Sequence, residues 1–253
     1  MALIASELIV YGSAVMAQAN ATTPQGGAID ETTRVVFVDM SQASALNFVS
    51  SVSGDMNAVT VVGRNAGGTQ ITESVTLSGV VPVTGTGVYE RLLSLAIPGN
   101  SGDILVMVDA DSTVITTVES GVDNIIRPFM TVTGESSAGN SGIYYEKIFV
   151  KNTNSVTNLL TATISQSGDG TEAFGADIGF DTENVHDGAG TSTNRITAPT
   201  GTYGVAFNDA AKSLPSGDLD ANTAVGIWLQ LTVPPATSGY NTTYSLNISG
   251  SQA

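Results

Sequence analysis

The stretch VTVVGRNAGGTQITESVTLSG, residues 59–79, sets the grammar of the whole chain. A β-branched run over 59–62 meets Gly63, Asn65, Gly67 and Gly68, residue types that tolerate the positive φ of a tight reversal. The return run alternates, with Ile71, Glu73, Val75 and Leu77 on one face and Thr72, Ser74, Thr76 and Ser78 on the other. Period two with β-branched residues predicts a β-hairpin. Glu73 is the odd member of the apolar face. It reads either as an edge position near water or as an inward carboxylate paired with Arg64 or Arg91.

The same pattern recurs. Strands are predicted over residues 34–40, 45–52, 58–63, 70–77, 87–96, 103–109, 113–118 and 125–132, separated by turns such as SGD, PGNSGD and ESGVD. Many short strands at such spacing imply sandwiches or barrels and not a βαβ protein. GESSAGNSG, 134–142, has no bulky apolar residue and reads as a linker. Beyond it, IYYEKIFVKNTN (143–154) sets Tyr144, Ile148 and Val150 on one face with Glu146 between them. Tyr145, Lys147, Phe149 and Lys151 take the other face. LLTATIS is predicted as the partner strand of this segment. IWLQLTV and TTYSLNIS read as half-buried strands, connected through PP at 234–235 and SGYN at 238–241. The expected fold is all-β: two antiparallel β-sandwich or barrel-like (jelly-roll or Ig-like) domains with an N-terminal arm. The boundaries fall at 1–29 (arm and linker), 30–134 and 135–253.

The arm reading rests on Leu3, Ile4, Leu8, Ile9 and Val10, an apolar stretch with a weak helical stripe, followed by TTPQGG as a linker. These five residues are candidate partner contacts. A secretory signal is disfavoured, since no Lys or Arg precedes Arg34 and Glu7 interrupts the apolar run. No run reaches the ~20 apolar residues of a membrane span.

Lys and Arg total 8 against 23 Asp and Glu, a formal charge of −15 over 253 residues. Such a surface repels nucleic acid and anionic membranes, so neither is expected as a partner. A basic protein partner suits it. Only 12% of residues are charged, which leaves much of the surface to Ser, Thr, Asn and Gly. Cysteine is absent, removing disulfides, thiolate metal sites and cysteine nucleophiles together.

Catalytic chemistry finds little material. His186 is the single histidine. Zinc sites draw several His or Cys ligands. A Ser-His-Asp triad would have to use His186, beside Asp181, Glu183 and Asp187, and no G-x-S-x-G elbow is present. Paired carboxylates for glycoside hydrolysis exist on paper in any acid-rich chain, but with one Trp, Trp228, few aromatics could stack a sugar. No enzyme and no cofactor are expected. Calcium remains an alternative at Asp109 and Asp111, at Asp169, or at Asp218 and Asp220, because loops rich in Asp and carbonyl can supply its oxygens. The long polar stretch 168–201 reads as an irregular segment, either a solvated loop or a contact surface. Asp169, Asp177, Asp181, Glu183 and Asp187 are its candidate partner-binding acids.

The string VTVVGRNAGGTQITESVTLSGVVPVTGTGVYERLLSL resembles a pattern in virion structural proteins of tailed bacteriophages. That pattern is a strand, G-R-[ND]-A-x-G, a strand ending E-x-[VL]-x-L-x-G, and an aromatic-E-R-[IL] strand. The matching residues are 63–67 at the glycine turn, 73–79 from Glu73 to Gly79, and 89–92 from Tyr89. YYEKIFVKNTN, VGIWLQLTVPP and TTYSLNISGS are similar to the second half of such proteins. The resemblance implies a virion component, and most closely a capsid cement or decoration protein. Such proteins sit on the outer shell, contact the major capsid protein and commonly form homotrimers; assembly in the host cytoplasm follows. A tail, neck or head-fibre protein, or a cell-surface or carbohydrate-binding β module, are the alternatives.

Overall fold

The computed structural model describes residues 3–18, 22–35, 40–130, 142–167, 176–181, 190–199, 202–208, 210–234 and 245–252, with backbone alone at 176–177, 180–181 and 202–206. The regular structure of the described residues is nearly all strand, with one 3₁₀ turn and no α-helix. The chain divides into two compact units. One is split in sequence, Met1–Asp30 with Thr131–Ala253, and the other, Glu31–Met130, is inserted in it. The corresponding sequence reading was 30–134.

A 3₁₀ turn at Ala5–Glu7 leads into β1 (Leu8–Val15), and β2 (Gln25–Arg34) runs from the split unit into the inserted one. The inserted unit continues with β3 (Leu46–Ser50), β4 (Ala58–Arg64), β5 (Gln70–Thr76), β6 (Val83–Thr84), β7 (Arg91–Ala96), β8 (Ile104–Val108), β9 (Val114–Val118) and β10 (Asn124–Ile126). One sheet has the order β6-β3-β8-β9. The other runs β5-β4-β7-β10 and ends on the last residues of β2. Pairing is antiparallel except β10 with β2, where Asn124 lies beside Thr33. The hairpin read from residues 59–79 is present as β4–β5, with Val59 opposite Val75 and Val61 opposite Glu73.

Alternation explains this unit's core. Leu46, Phe48, Ile104, Val106, Val108, Ile115 and Val118 come from one sheet; Val59, Val61, Val75, Leu92, Leu95 and Ile125 come from the other. Strands β3, β4 and β8 turn every second side chain inward, as period two requires, while the inward pairs Leu92/Leu95 of β7 and Ile115/Val118 of β9 are three residues apart. Gly63 is forced by this packing: a Cβ there would overlap the ring of buried Tyr89 and stand 2.7 Å from the Arg91 carbonyl. The predicted strand over 87–96 begins only at Arg91, because residues 85–87 form a loop tied to Glu73.

The split unit adds β11 (Gly142–Asn152), β12 (Leu159–Ser167), β13 (Ala176–Asp181), β14 (Thr191–Ser192), β15 (Thr202–Asn208), β16 (Lys212–Ser213), β17 (Ala224–Val233) and β18 (Ser245–Gln252). Its larger sheet runs β15-β13-β17-β11-β1-β2, with β14 on β2, and its smaller sheet runs β16-β12-β18. The strand β11 is buried on both faces from Tyr144 to Val150, unlike the half-buried strands of the inserted unit.

Four sequence expectations are corrected here. The N-terminal arm is a strand: β1 pairs antiparallel with β11, Leu8 opposite Asn152 and Gly12 opposite Ile148. The backbone N–H and C=O groups of β1 satisfy the edge of a strand that would otherwise be buried unpaired on that side. The linker TTPQGG already contains the start of β2, with Gln25 and Gly26 buried. Gly26 has φ +94°, and a Cβ there would come within 2.7 Å of the Gly190 carbonyl and 2.9 Å of the Trp228 ring. Arg34 ends β2 instead of opening a strand, and residues 36–39 of the run read over 34–40 lie outside the described residues. Finally, β12 does not pair with β11, whose two neighbours are β1 and β17. Asparagines turn the chain away instead. Asn152 donates to the carbonyls of Thr157 (2.9 Å) and Leu219 (3.3 Å), and Asn154 Oδ1 accepts from the N–H groups of Val156 and Thr157. These local side-chain bonds replace a tight hairpin turn.

Candidate functional site

Four of the five apolar residues nominated near the N-terminus pack within the chain. Leu3 is buried, and its carbonyl accepts a bond from Gln252 at 2.6 Å. Leu8, Ile9 and Val10 are half-buried in β1, and Ile9 packs with Tyr11, Phe149, Ala224 and Ile29. Ile4 stays 58% exposed. The turn beneath it is fixed by Glu7, whose carboxylate accepts from the Asn154 amide at 3.0 Å and the Ile4 N–H at 2.9 Å. Those two bonds, the Asn154 one first, hold its pKa below the usual carboxylate value.

Of the acids nominated in the polar stretch, Asp169, Glu183 and Asp187 lie outside the described residues, as does His186. Asp177 and Asp181 belong to β13, which pairs with β17 and β15. That part of the stretch is a sheet strand and not an irregular loop. Ile178, buried in its centre, is the apolar residue that the polar surroundings obscured.

Among the described residues of the split unit, one group of charged side chains is internal. Glu146, Lys147 and Arg195 are fully buried. Arg195 Nη2 meets Glu146 Oε1 at 2.5 Å. Its guanidinium stands 5.9 Å from the Tyr144 ring centroid, and Nη1 donates to the Gln18 carbonyl at 3.3 Å. Lys147 Nζ donates to the Gly27 and Gly190 carbonyls, both at 3.2 Å, and lies 4.9 Å from the Phe149 ring and 5.8 Å from the Trp228 ring. The Tyr145 N–H reaches the Arg195 carbonyl at 2.7 Å. These groups tie the segment around 190–197 and the start of β2 to β11. Side chains so enclosed offer no surface to a substrate; they act as struts whose charge is offset by partners and aromatic faces. Residue spacing placed Glu146 and Lys147 on opposite faces of β11, but Arg195, 49 positions further on, carried no local signal.

In the inserted unit Glu73 gathers a cluster around its carboxylate. Glu73 takes neither Arg64 nor Arg91 as partner. Its carboxylate accepts from the Thr86 N–H (2.5 Å) and hydroxyl (2.7 Å), the Gly87 N–H (3.0 Å) and the Tyr89 hydroxyl (3.3 Å). Burial pushes its pKa up, but the Thr86 and Gly87 donors and Tyr89 outweigh that and hold it low. Burial, then the Glu73 charge, pushes the Tyr89 phenol well up. Asn65 Oδ1 accepts from the Gly67 and Thr69 N–H groups, both at 3.0 Å, shaping the hairpin turn.

A second carboxylate was missed by sequence reading. Asp55 is buried and joins two loops. It accepts from the Ser101 hydroxyl, the Ser50 hydroxyl (2.6 Å) and the N–H groups of Ser101 and Gly102 (both 3.0 Å). The Ser101 and Ser50 bonds bring its pKa down to about 2. The available signal was the presence of two similar turns, SGD at 53–55 and NSGD at 100–103. Nothing local said that they face each other.

Of the carboxylates considered for calcium, Asp169 lies outside the described residues and the other four are engaged one by one. Asp109 accepts from Thr84 at 3.2 Å. Asp111 accepts from the Thr113 N–H (2.9 Å) and from Ser41 (2.8 Å) and Gln42 (3.2 Å), which bring its pKa to about 2. Asp218 accepts from the N–H of Thr161 at 2.7 Å. Thr161 has φ +48°, a strained value for a β-branched residue, at the bulge of β12. Asp220 accepts from Asn158 at 2.8 Å. Among the described residues no three His, Cys, Asp or Glu side chains converge as a metal site would need. No helix among them is long and apolar enough to cross a membrane.

The fold and these clusters define an all-β, sandwich-like protein with ionisable groups built into its framework. No protein-family model, curated protein or solved structure matches the chain.

Proposed function

We propose that this chain is a non-enzymatic virion structural protein of a tailed bacteriophage, of the capsid cement or decoration type. On this reading it binds the major capsid protein on the outer surface of the shell, as a homotrimer, and adds contacts across the joints between capsid subunits. The observation that carries the proposal is the motif over residues 63–92. Of the residues behind the resemblance, Gly63, Glu73 and Tyr89 interlock, with Gly87 as a further donor to Glu73, while Asn65 shapes the adjoining hairpin turn. They maintain a rigid display scaffold, the role that such a virion component requires. The acidic surface supports the same reading, since a formal charge of −15 favours docking on basic patches. Many modest contacts repeated over one shell become collectively strong.

The test is a copy count by quantitative mass spectrometry on purified particles and on tailless heads. A cement protein is present on both at high copy and is released by mild chaotrope, after which the shells rupture at lower temperature. A protein found on complete particles but absent from tailless heads belongs to the tail or neck, and a chain absent from particles altogether removes the virion reading.

A further inference from the structure

We infer that one end of the inserted unit is a preformed docking surface for another protein, whose contact face is apolar at its centre and basic at its rim. Four loops meet at this end, those after β3, β5, β7 and β9. Two of them present large apolar side chains to solvent: Val52 (38% exposed) and Met56 (57%) from the first, Val80 (53%) and Val81 (58%) from the second. The backbone holds them side by side. The Gly79 N–H donates to the Asp55 carbonyl at 2.8 Å, the Leu77 N–H to the Asn57 carbonyl at 3.0 Å, and the Ser50 N–H to the Gly79 carbonyl at 3.0 Å.

Half of one turn has residue types unusual at a solvated position. Ser78 to Val81 closes a β-turn, with the Val81 N–H on the Ser78 carbonyl at 3.1 Å and Gly79 at φ +58°. Ser78 and Gly79 are ordinary turn residues, but the two that follow are adjacent, exposed valines. Isolated exposed apolar residues are ordinary, but a group on adjoining loops marks an interaction surface.

The loops are also held rigid. Asp55 anchors the first loop to Ser101 and Gly102, while Gly79 and Gly102 permit contacts that a Cβ would block, against Ser53 and against Val52 (2.7 Å) respectively. A patch fixed before binding loses less entropy on association.

The charge around the patch selects the partner. Asp103, Glu119 and Asp123 lie in the loops of this end. Their Oδ1 atoms at Asp103 and Asp123 accept from Ser120 and Gly99, and Glu119 pairs with Arg34 at 3.0 Å. The unit's other arginines, Arg64, Arg91 and Arg127, sit at the opposite ends of their strands. A second copy meeting tip to tip would set acids against acids, so the rim fits a foreign basic surface. The inference does not require that the partner be a shell protein.

Met56 serves as its own reporter, because an exposed thioether oxidises to the sulfoxide readily. The purified chain and the assembly isolated from its source are treated with hydrogen peroxide. Oxidation is read by peptide mass spectrometry, with half-buried Met40 and Met107 as references. Met56 should react at least tenfold more slowly in the assembly than in the free chain. The variant V80S/V81S should keep the wild-type melting temperature and lose at least tenfold in occupancy of the assembly. Occupancy should fall further with added salt. Equal Met56 oxidation in both states, full occupancy by the variant, or a chain recovered only in free form would overturn the inference. Concentration-dependent protection in the purified chain alone would assign the surface to a second copy, and salt-independent occupancy would remove the basic rim. The proteins that co-isolate report separately on the virion reading.

Discussion

The strands β3 and β11 read alike as alternating sequence, yet they sit in two different interiors. In β3, LNFVS, burial alternates residue by residue, and its inward side chains join a core of purely apolar packing plus Tyr89. In β11, GIYYEKIFVKN, seven consecutive residues are buried, among them a glutamate and a lysine. The inserted unit holds Asp55 in a loop and Glu73 on the edge strand β5, where both collect N–H and hydroxyl donors from loops. The split unit takes charge inside and offsets it with Arg195 and carbonyl oxygens. Apolar packing tolerates substitution of similar volume. A buried charge network fails when one member is lost, because the remaining charge has nowhere to go.

Deletion of residues 3–15 breaks this comparison most severely. It removes β1 from beside β11, leaving a doubly buried strand with an open edge. The split unit should lose its cooperative fold, a cost of more than about 5 kcal/mol, comparable with the stability of a whole domain. Near-ultraviolet circular dichroism of Trp228, the single tryptophan, reads this directly. A native signal from the truncated chain would restore the arm reading of this segment.

The substitution Glu146→Gln tests the charge network itself. It should destabilise the split unit by about 3–5 kcal/mol, since Arg195 is left buried without its carboxylate. The double variant E146M/R195M should lose less than either single one. Urea titration followed by Trp228 fluorescence measures both. Additive losses would mean that the two side chains act independently.

The smallest effect belongs to Asp55→Asn in the inserted unit, on the order of 1–2 kcal/mol at neutral pH. Its sign follows from a folded pKa of about 2 against 3.8 for the ordinary group. The ionised form is favoured by folding, so its contribution is full above pH 3.8 and disappears as pH falls towards 2. The wild type should therefore lose more stability than the variant over that window. Parallel acid titrations of the two proteins, monitored by circular dichroism, check it; identical curves would show that Asp55 contributes nothing through its charge.

Much of the inserted unit was legible in the sequence. Period-two alternation located β3, β4, β5, β8 and β9 to within a residue or two, and the glycine turn at 63–68 identified the hairpin, because these signals act between neighbours in the chain. Less of the split unit was legible. The alternation in LLTATIS correctly gave a strand but could not say which strand it joins, since Asn152 and Asn154 redirect the chain by bonds within the turn and one from Asn152 to Leu219, 67 residues away. The apolar N-terminal stretch had the residues of an arm and equally those of a buried strand, and only the open edge of β11 selected between them.

The candidate sites divide in the same way. Glu73 stood out because it interrupts an apolar face, yet its donors at Thr86, Gly87 and Tyr89 depend on a loop that the strand pattern had misread. Asp55 was invisible, because its donors lie 46 and 47 residues away. The sequence by itself determined the all-β class and the alternating faces, which are properties of backbone periodicity and side-chain branching. Sheet membership, the partners of the buried charges and the grouping of Val52, Met56, Val80 and Val81 were decided by tertiary structure, because each depends on which distant segments the packed chain brings together.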